Sequence, residues 1–364
     1  MTAVERIGVR VYTVPTETPE ADGTLAWDHT TLVLAEAVGA GHLGIGWTYG
    51  APATAGVITG ELAGLVTGRD AHDTAGANEA MNRAVRNTGR PGLVAGAISA
   101  VDLALWDLRG HLLALPLARL LGGAPRPVPV YGSGGFTTYS AGRTERQLRS
   151  WTEEQGIPRV KIKIGESRGT REHRDLKRVR AARAAIGDRV ELYTDANGGY
   201  RRKQAVRIGA ALAGEGVTWF EEPVSSDDLA GLRAVRDAVL PDVTAGEYGY
   251  DLPYFARMTA VVDCLQADAT RCGGLTGWLR AAALAEAHGL DVSAHCAPHL
   301  HAHAATAVPN CRHLEWFHDH VRIERLLFDG TLDPAGGTVT PGADGAPGHG
   351  LRLNPARAAA YRTA

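Results

Sequence analysis

The chain has 364 residues, 45% of them hydrophobic and 21% charged, with a net charge of -2. This balance excludes a disordered or fibrous protein, and it advertises neither a nucleic-acid backbone nor an anionic membrane as partner. The length allows two domains or one large α/β barrel with additions.

In chain order, the opening MTAVERIGVRVYTV carries a charge at Glu5 and no apolar run of the kind a secretory signal needs. Residues 4–12 and 31–38 read as strands joined by a polar loop over 16–29, and a third strand fits 44–49. Helical patterns follow at 55–67, 73–88 and 93–113. The most apolar stretch, 93–108, contains Asp102 and Asp107 and reads as a buried helix, not a membrane span. Antiparallel strands followed by helices predict an α+β domain over 1–125, and the Gly/Pro-dense segment 122–129 marks its end.

Beyond that segment the pattern changes. Short apolar runs at 128–132, 159–164, 190–195, 217–222, 243–247, 261–268, 290–295 and 312–316 alternate with helix-length stretches. Eight such runs predict a closed parallel barrel over 126–320. The remainder, 321–364, has no βα pattern and is expected to pack back on the first domain. The four cysteines, Cys264, Cys272, Cys296 and Cys311, form no CxxC pair, which points to a reduced, cytoplasmic chain.

In a βα barrel the C-terminal strand ends ring one mouth, and chemistry happens there. Asp195, Glu221 and Glu247 end the third, fourth and fifth runs, 26 residues apart each time. Three adjacent carboxylates repel one another unless a cation sits among them, and all-oxygen ligation suits Mg2+ or Mn2+ better than Zn2+. Lys161 and Lys163 lie two apart on the second run, so they point the same way, into the mouth. They are two of only four lysines against 34 arginines, so a plain surface cation here would be arginine by the chain's own habit. Burial, a neighbouring cation and a metal lower a lysine's pKa, which is how it becomes a general base near neutral pH. Asp268 and His295 end the sixth and seventh runs, and an aspartate beside a histidine fixes its tautomer. Three steps around a ring of eight separate Lys163 from His295, so the two face each other across a substrate. Glu315, on the eighth run, is either a protonated donor to a substrate oxygen or an ion-pair partner. The series His295, His299, His301 and His303 has zinc-like spacing, but a barrel hydrolase also wants an HxH pair on the first strand, and VPVYGSG has none. His299, His301 and His303 are therefore expected to line the mouth or cap the next helix.

Taken together, these residues resemble the enolase superfamily, in particular the mandelate racemase group. The resemblance rests on AISAVDLALWDLRGHLLALPLARLLGG at 97–123 and on Lys161-Ile-Lys163, Asp195-Ala-Asn197, Glu221-Glu-Pro223, Gly246-Glu247, Gln266-Ala-Asp268, Gly273-Gly274, His295 and Leu314-Glu315. It implies a modified (β/α)7β TIM-type barrel with an α+β capping domain, residues 1–125 completed by 321–364. It implies Mg2+ on Asp195, Glu221 and Glu247, with Lys163 and the Asp268–His295 pair as the two acid/base groups. Lys161 and Glu315 would touch the substrate carboxylate and Asn197 the region of its α-hydroxyl. A capping loop around 24–29 would close over the substrate, making Trp27 and His29 specificity candidates. The implied reaction removes the α-proton of a hydroxycarboxylate to give a metal-stabilised enediolate. Dehydration of an acid sugar to a 2-keto-3-deoxy acid leads. Racemisation, epimerisation or cycloisomerisation is the alternative, and a non-catalytic scaffold the third. The implied partners are a small carboxylate and further copies of the chain, as a dimer or octamer, with no nucleic acid or membrane.

Overall fold

A computed structural model describes residues 2–364. The first sheet is antiparallel, in the order β1 (Arg6–Ala21), β2 (Ala26–Gly39), β3 (His42–Tyr49). Most of the segment expected as a polar loop is instead strand, with a turn left only at 22–25. Pairing of β1 with β2 continues past a register shift between Pro15 and Glu20 to Glu20↔Trp27 and Ala21↔Ala26. Main-chain hydrogen bonding across the hairpin outweighs the polar side chains there, which face solvent or the barrel mouth.

Helix Leu93–Leu113 lies across this sheet and is buried along nearly its whole length. It approaches so closely that a Cβ at Gly44 would sit 2.2 Å from the Leu108 amide nitrogen, and one at Gly46 would sit 2.3 Å from that of Ala104. Its two acids are structural. Asp107 accepts from the Ile45 and His349 amides at 2.9 Å each. Asp102 accepts from Asn78 at 2.8 Å and from the Thr276 amide at 3.1 Å, tying the helix to the barrel. The chain end returns to the first sheet, where Val11 exchanges main-chain bonds with Thr363 and Ala364 at 2.9 Å.

Eight parallel strands follow: β4 (Val128–Gly134), β5 (Arg159–Lys163), β6 (Glu191–Asp195), β7 (Val217–Glu221), β8 (Asp242–Ala245), β9 (Cys264–Ala267), β10 (Asp291–Ala294) and β11 (Cys311–Phe317). Each pairs with the next, and β11 pairs back on β4, closing the barrel. Thr338–Val339 adds a short antiparallel strand at the edge of β4. Alternation along each strand sends Val160 and Ile162 outward and Lys161 and Lys163 inward. Tyr131, Tyr193, Trp219 and Cys264 fill the barrel as a buried layer beneath the site. Among the described residues, no helix is long and apolar enough to cross a membrane.

Candidate active site

Register builds the site. Lys163 is the ladder partner of Asp195, and Asp195 of Glu221, so three chemically active side chains stand in one row across β5, β6 and β7. Glu247 lies two residues beyond β8. Gly246 between them has φ +136° and no room for a Cβ, which would lie 2.3 Å from the Gln266 carbonyl. Only glycine makes that turn and brings Glu247 to the wall. Ala267 and Ala294 are ladder partners, so the residues after them, Asp268 and His295, emerge side by side.

All five acids and both lysines are buried. Ligand oxygens of Asp195, Glu221 and Glu247 lie within 4.8 Å of one another, and Glu247 Oε2, 3.4 Å from His295 Nε2, has no hydrogen-bond partner among the described residues. An orphaned buried carboxylate oxygen beside two more carboxylates fits a hard divalent cation of the Mg2+ or Mn2+ type. Lys161 donates to both Glu221 oxygens at 2.7 Å and stands 2.8 Å from Glu315 and 3.9 Å from Asp195. Lys163 donates to Asp195 at 2.5 Å. His295 Nδ1 donates to Asp268 at 2.8 Å, which turns Nε2 toward the site.

The electrostatics correct one expectation. Burial pushes the Lys163 ammonium toward neutrality, and Lys161 adds to that, but Asp195, Glu315 and Glu221 together outweigh them and hold its pKa above the ordinary value. Lys161 is likewise raised, its burial overridden by Glu221, Glu315 and Asp195. Burial, with Asp195 and Glu315 nearby, pushes Glu221 up to about 8 despite Lys161. Burial also lowers His295, yet Glu247 and Asp268 carry it upward overall. Of the two roles open for Glu315, the structure has the ion pair. Burial would raise its pKa, but Lys161 and His295 hold it well below the carboxylate range, and it accepts from Ser133 at 2.6 Å and the Cys296 amide at 2.9 Å.

Lys163, Asn197, Glu247 and His295 share a cavity of about 460 Å3 with Trp27 and His29 from the β1–β2 hairpin. Asn197 adopts φ +44° with its amide bonded to Asp195 at 2.8 Å, and its Oδ1 is buried without a partner among the described residues. Trp27 meets Phe136 edge-on at 5.4 Å and donates to Glu20 at 3.2 Å. His29 is exposed and paired with Asp28 at 2.6 Å. The hairpin tip docks on the barrel: Gly23 O accepts from Arg168 at 2.8 Å, and Thr137 donates to Ala21 at 2.8 Å.

The histidine series differs from expectation. His299, His301 and His303 lie inside helix Pro298–Ala305, wholly buried, and none lines the cavity. His299 pairs with Glu324, His301 Nε2 accepts from the Ala269 amide at 2.8 Å, and His303 Nδ1 accepts from that of Ala118 at 3.2 Å. Burial pushes His303 down to about 3. These rings are internal struts, because a buried backbone donor must find an acceptor. Reading the sequence missed Arg271, Cys296, Asp22 and the Thr30–Asp319 pair, all at the cavity. Arg271 and Cys296 had a signal, since they follow the strand-end residues Asp268 and His295. Thr30 and Asp319 are 289 residues apart and had none.

Residues 6–122 match the mandelate racemase / muconate lactonizing enzyme N-terminal domain, and residues 143–357 match the enolase C-terminal domain-like family. A mandelate racemase/muconate lactonizing enzyme-like protein from Rubrobacter xylanophilus superposes with a TM-score of 0.96 at 50% identity, over 99% of this chain and 100% of that one. The 3,6-anhydro-alpha-L-galactonate cycloisomerase of Streptomyces coelicolor is 31% identical over 366 residues, 96% of this chain and 97% of its own. The L-talarate/galactarate dehydratase of Salmonella typhimurium LT2 is 30% identical over 304 residues, 80% of this chain and 75% of its own. Its crystal structure with Mg and L-lyxarohydroxamate gives a TM-score of 0.89 at 26% identity, covering 100% and 93% of the two chains. With both of its halves matched and its barrel closed, the chain belongs to the mandelate racemase/muconate lactonizing enzyme group of the enolase superfamily.

Proposed function

We propose that this protein is a Mg2+-dependent acid-sugar dehydratase that removes the α-proton of a hydroxycarboxylate and expels its β-hydroxyl to give a 2-keto-3-deoxy acid. The observation that supports the reading is that Lys163 on β5 and His295 after β10 line one cavity beside an acid wall whose Glu247 Oε2 lacks a hydrogen-bond partner. In this reading Asp195, Glu221 and Glu247 hold Mg2+, with Mn2+ as a substitute. Bound there, the cation supplies Lewis-acid stabilisation of charge developing on the substrate carboxylate.

The chain's own groups do the rest. Lys161, positioned by its ion pair with Glu315, faces the substrate carboxylate, and Asn197 Oδ1 takes a hydroxyl. Lys163 Nζ receives the α-proton from one face. That requires a neutral amine, and a cation on Asp195 competes for the charge that holds Lys163 protonated. His295, oriented and kept basic by Asp268, delivers a proton through Nε2 to the departing hydroxyl on the other face. Trp27 and His29 on the docked hairpin cover the rest of the substrate and exclude water. Residues 1–125 with 321–364 are the cap and 126–320 the barrel. A reduced, cytoplasmic homo-oligomer, dimer or octamer, completes the reading; the four unpaired cysteines support the compartment.

The full-length match to a cycloisomerase favours a second reading, in which the same two groups move protons without loss of water. A library of mono- and diacid sugars incubated with Mg2+ separates them. Keto-acid formation supports dehydration. Solvent-deuterium incorporation with isomerisation and no keto acid replaces it with the second reading, and neither event with any acid defeats the enzyme reading.

A further inference from the structure

We propose a second, thiophilic metal site formed by His295, Cys296 and Glu315, which takes Zn2+, Co2+ or Cd2+ and is distinct in donor set from the all-oxygen wall. Three buried donor atoms converge here. Cys296 Sγ lies 3.3 Å from His295 Nε2 and 3.5 Å from Glu315 Oε2, and those two are 3.9 Å apart. A tetrahedral ion bound at ~2.3 Å to sulfur and ~2.0–2.1 Å to nitrogen and oxygen sets its donors about 3.3–3.6 Å from one another. Two of the three edges already meet that, and the third must close by a few tenths of an ångström.

Orientation agrees with spacing. Asp268 accepts from His295 Nδ1–H, which leaves Nε2, 3.3 Å from the Cys296 thiol and 3.4 Å from Glu247 Oε2, as the ligating nitrogen, the way a carboxylate prepares a histidine to bind metal. Cys296 follows directly in sequence, and adjacent side chains ordinarily diverge. Its φ of +50° turns the thiol back beside the imidazole, a backbone state that a non-glycine residue adopts at a cost. His295 and Cys296 both line the cavity, so an ion can enter and a water can complete the tetrahedron. Thiolate with imidazole selects borderline and soft ions, whereas Mg2+ prefers the carboxylate wall. Binding displaces the thiol proton to solvent, leaving a thiolate–metal bond with no redox change.

The consequence rests on the function proposed above. A cation on Nε2 takes the lone pair that proton transfer needs, so Zn2+ inhibits the Mg2+-saturated protein. The test of the site itself does not depend on turnover. Full-length protein saturated with Mg2+ is titrated with Cd2+ and followed by thiolate-to-cadmium charge-transfer absorption. The expected result is one equivalent bound, undisplaced by Mg2+. Cys296→Ser abolishes the band, and His295→Asn weakens binding about 10–100-fold. A band surviving in Cys296→Ser assigns the thiolate to Cys264, Cys272 or Cys311 and overturns the site, as does no band in the wild type. Should the serine variant fail to fold, a cadmium-113 resonance of the wild type in the range of mixed S/N/O ligation supports the proposal, and an all-oxygen shift overturns it. Retained binding without any turnover refutes the proposed function and leaves the metal site standing.

Discussion

Lys161→Met isolates the electrostatics of the barrel mouth. Lys161 is fully buried and is the cation nearest to Glu221 and Glu315, at 2.7 and 2.8 Å. Methionine keeps the length and removes the charge, so two buried carboxylates lose their partner. Removing one side of a buried pair costs about 3–5 kcal/mol. For a chain of this size that is a fall in Tm of roughly 6–10 °C, taking about 2 °C per kcal/mol. Lys161 also stands 3.9 Å from Asp195, where it competes with any cation held by the wall. The variant therefore binds Mg2+ more tightly, and each tenfold gain adds about 1.4 kcal/mol. Scanning calorimetry of both proteins with and without Mg2+ measures the two effects. The expected outcome is a lower Tm for the metal-free variant and a larger Mg2+-induced rise than in the wild type. An unchanged Tm, or a Mg2+ increment no larger than that of the wild type, refutes the reasoning.

Further outcomes follow from other contacts. Burial pushes Asp102 up to about 7 from an ordinary value of 3.8. A carboxyl with a raised folded-state pKa stabilises fully below its unfolded pKa and loses that stability as pH rises through the folded value. Wild-type stability should thus fall between about pH 4 and 7 by up to about 4 kcal/mol, and Asp102→Asn should remove that slope in urea melts. Gly23→Ala puts a Cβ 2.5 Å from the Ala196 carbonyl oxygen and 2.8 Å from that of Ile164. Lifting the hairpin tip should cost about 1–3 kcal/mol locally, read as faster hydrogen exchange over residues 16–29 with the barrel unchanged. Glu247→Ala should lower Mg2+ affinity by at least 10-fold in isothermal titration, and unchanged binding would remove Glu247 from the wall.

The barrel was legible because its strands are buried on both faces and appear as apolar runs, and because Lys163, Asp195 and Glu221 fall at strand ends whose register makes them neighbours. Other features depend on contacts that no local pattern carries. Residues 16–29 are polar by composition, yet the ladder makes 16–21 and 26–29 strand, and the turn between them docks Gly23 on the barrel. The downward pKa expected for Lys163 considered its own burial, Lys161 and a metal, but not an aspartate 2.5 Å away on the next strand. From sequence, His299, His301 and His303 are expected to line the mouth or cap a helix, whereas helix Pro298–Ala305 turns them inward, His301 and His303 to accept from the distant Ala269 and Ala118 amides and His299 to pair with Glu324.

Lys163 and His295 divide the reaction between them: the amine takes the α-proton and the imidazole protonates the hydroxyl that leaves. Incubating wild type, Lys163→Ala and His295→Asn with Mg2+ and a responding acid in deuterium oxide, and following α-deuterium by NMR together with keto-acid formation, tests this division. The expected result is that Lys163→Ala loses both α-exchange and keto acid, whereas His295→Asn loses keto acid and keeps α-exchange. Keto acid undiminished in either variant, or α-exchange kept in Lys163→Ala and lost in His295→Asn, contradicts it.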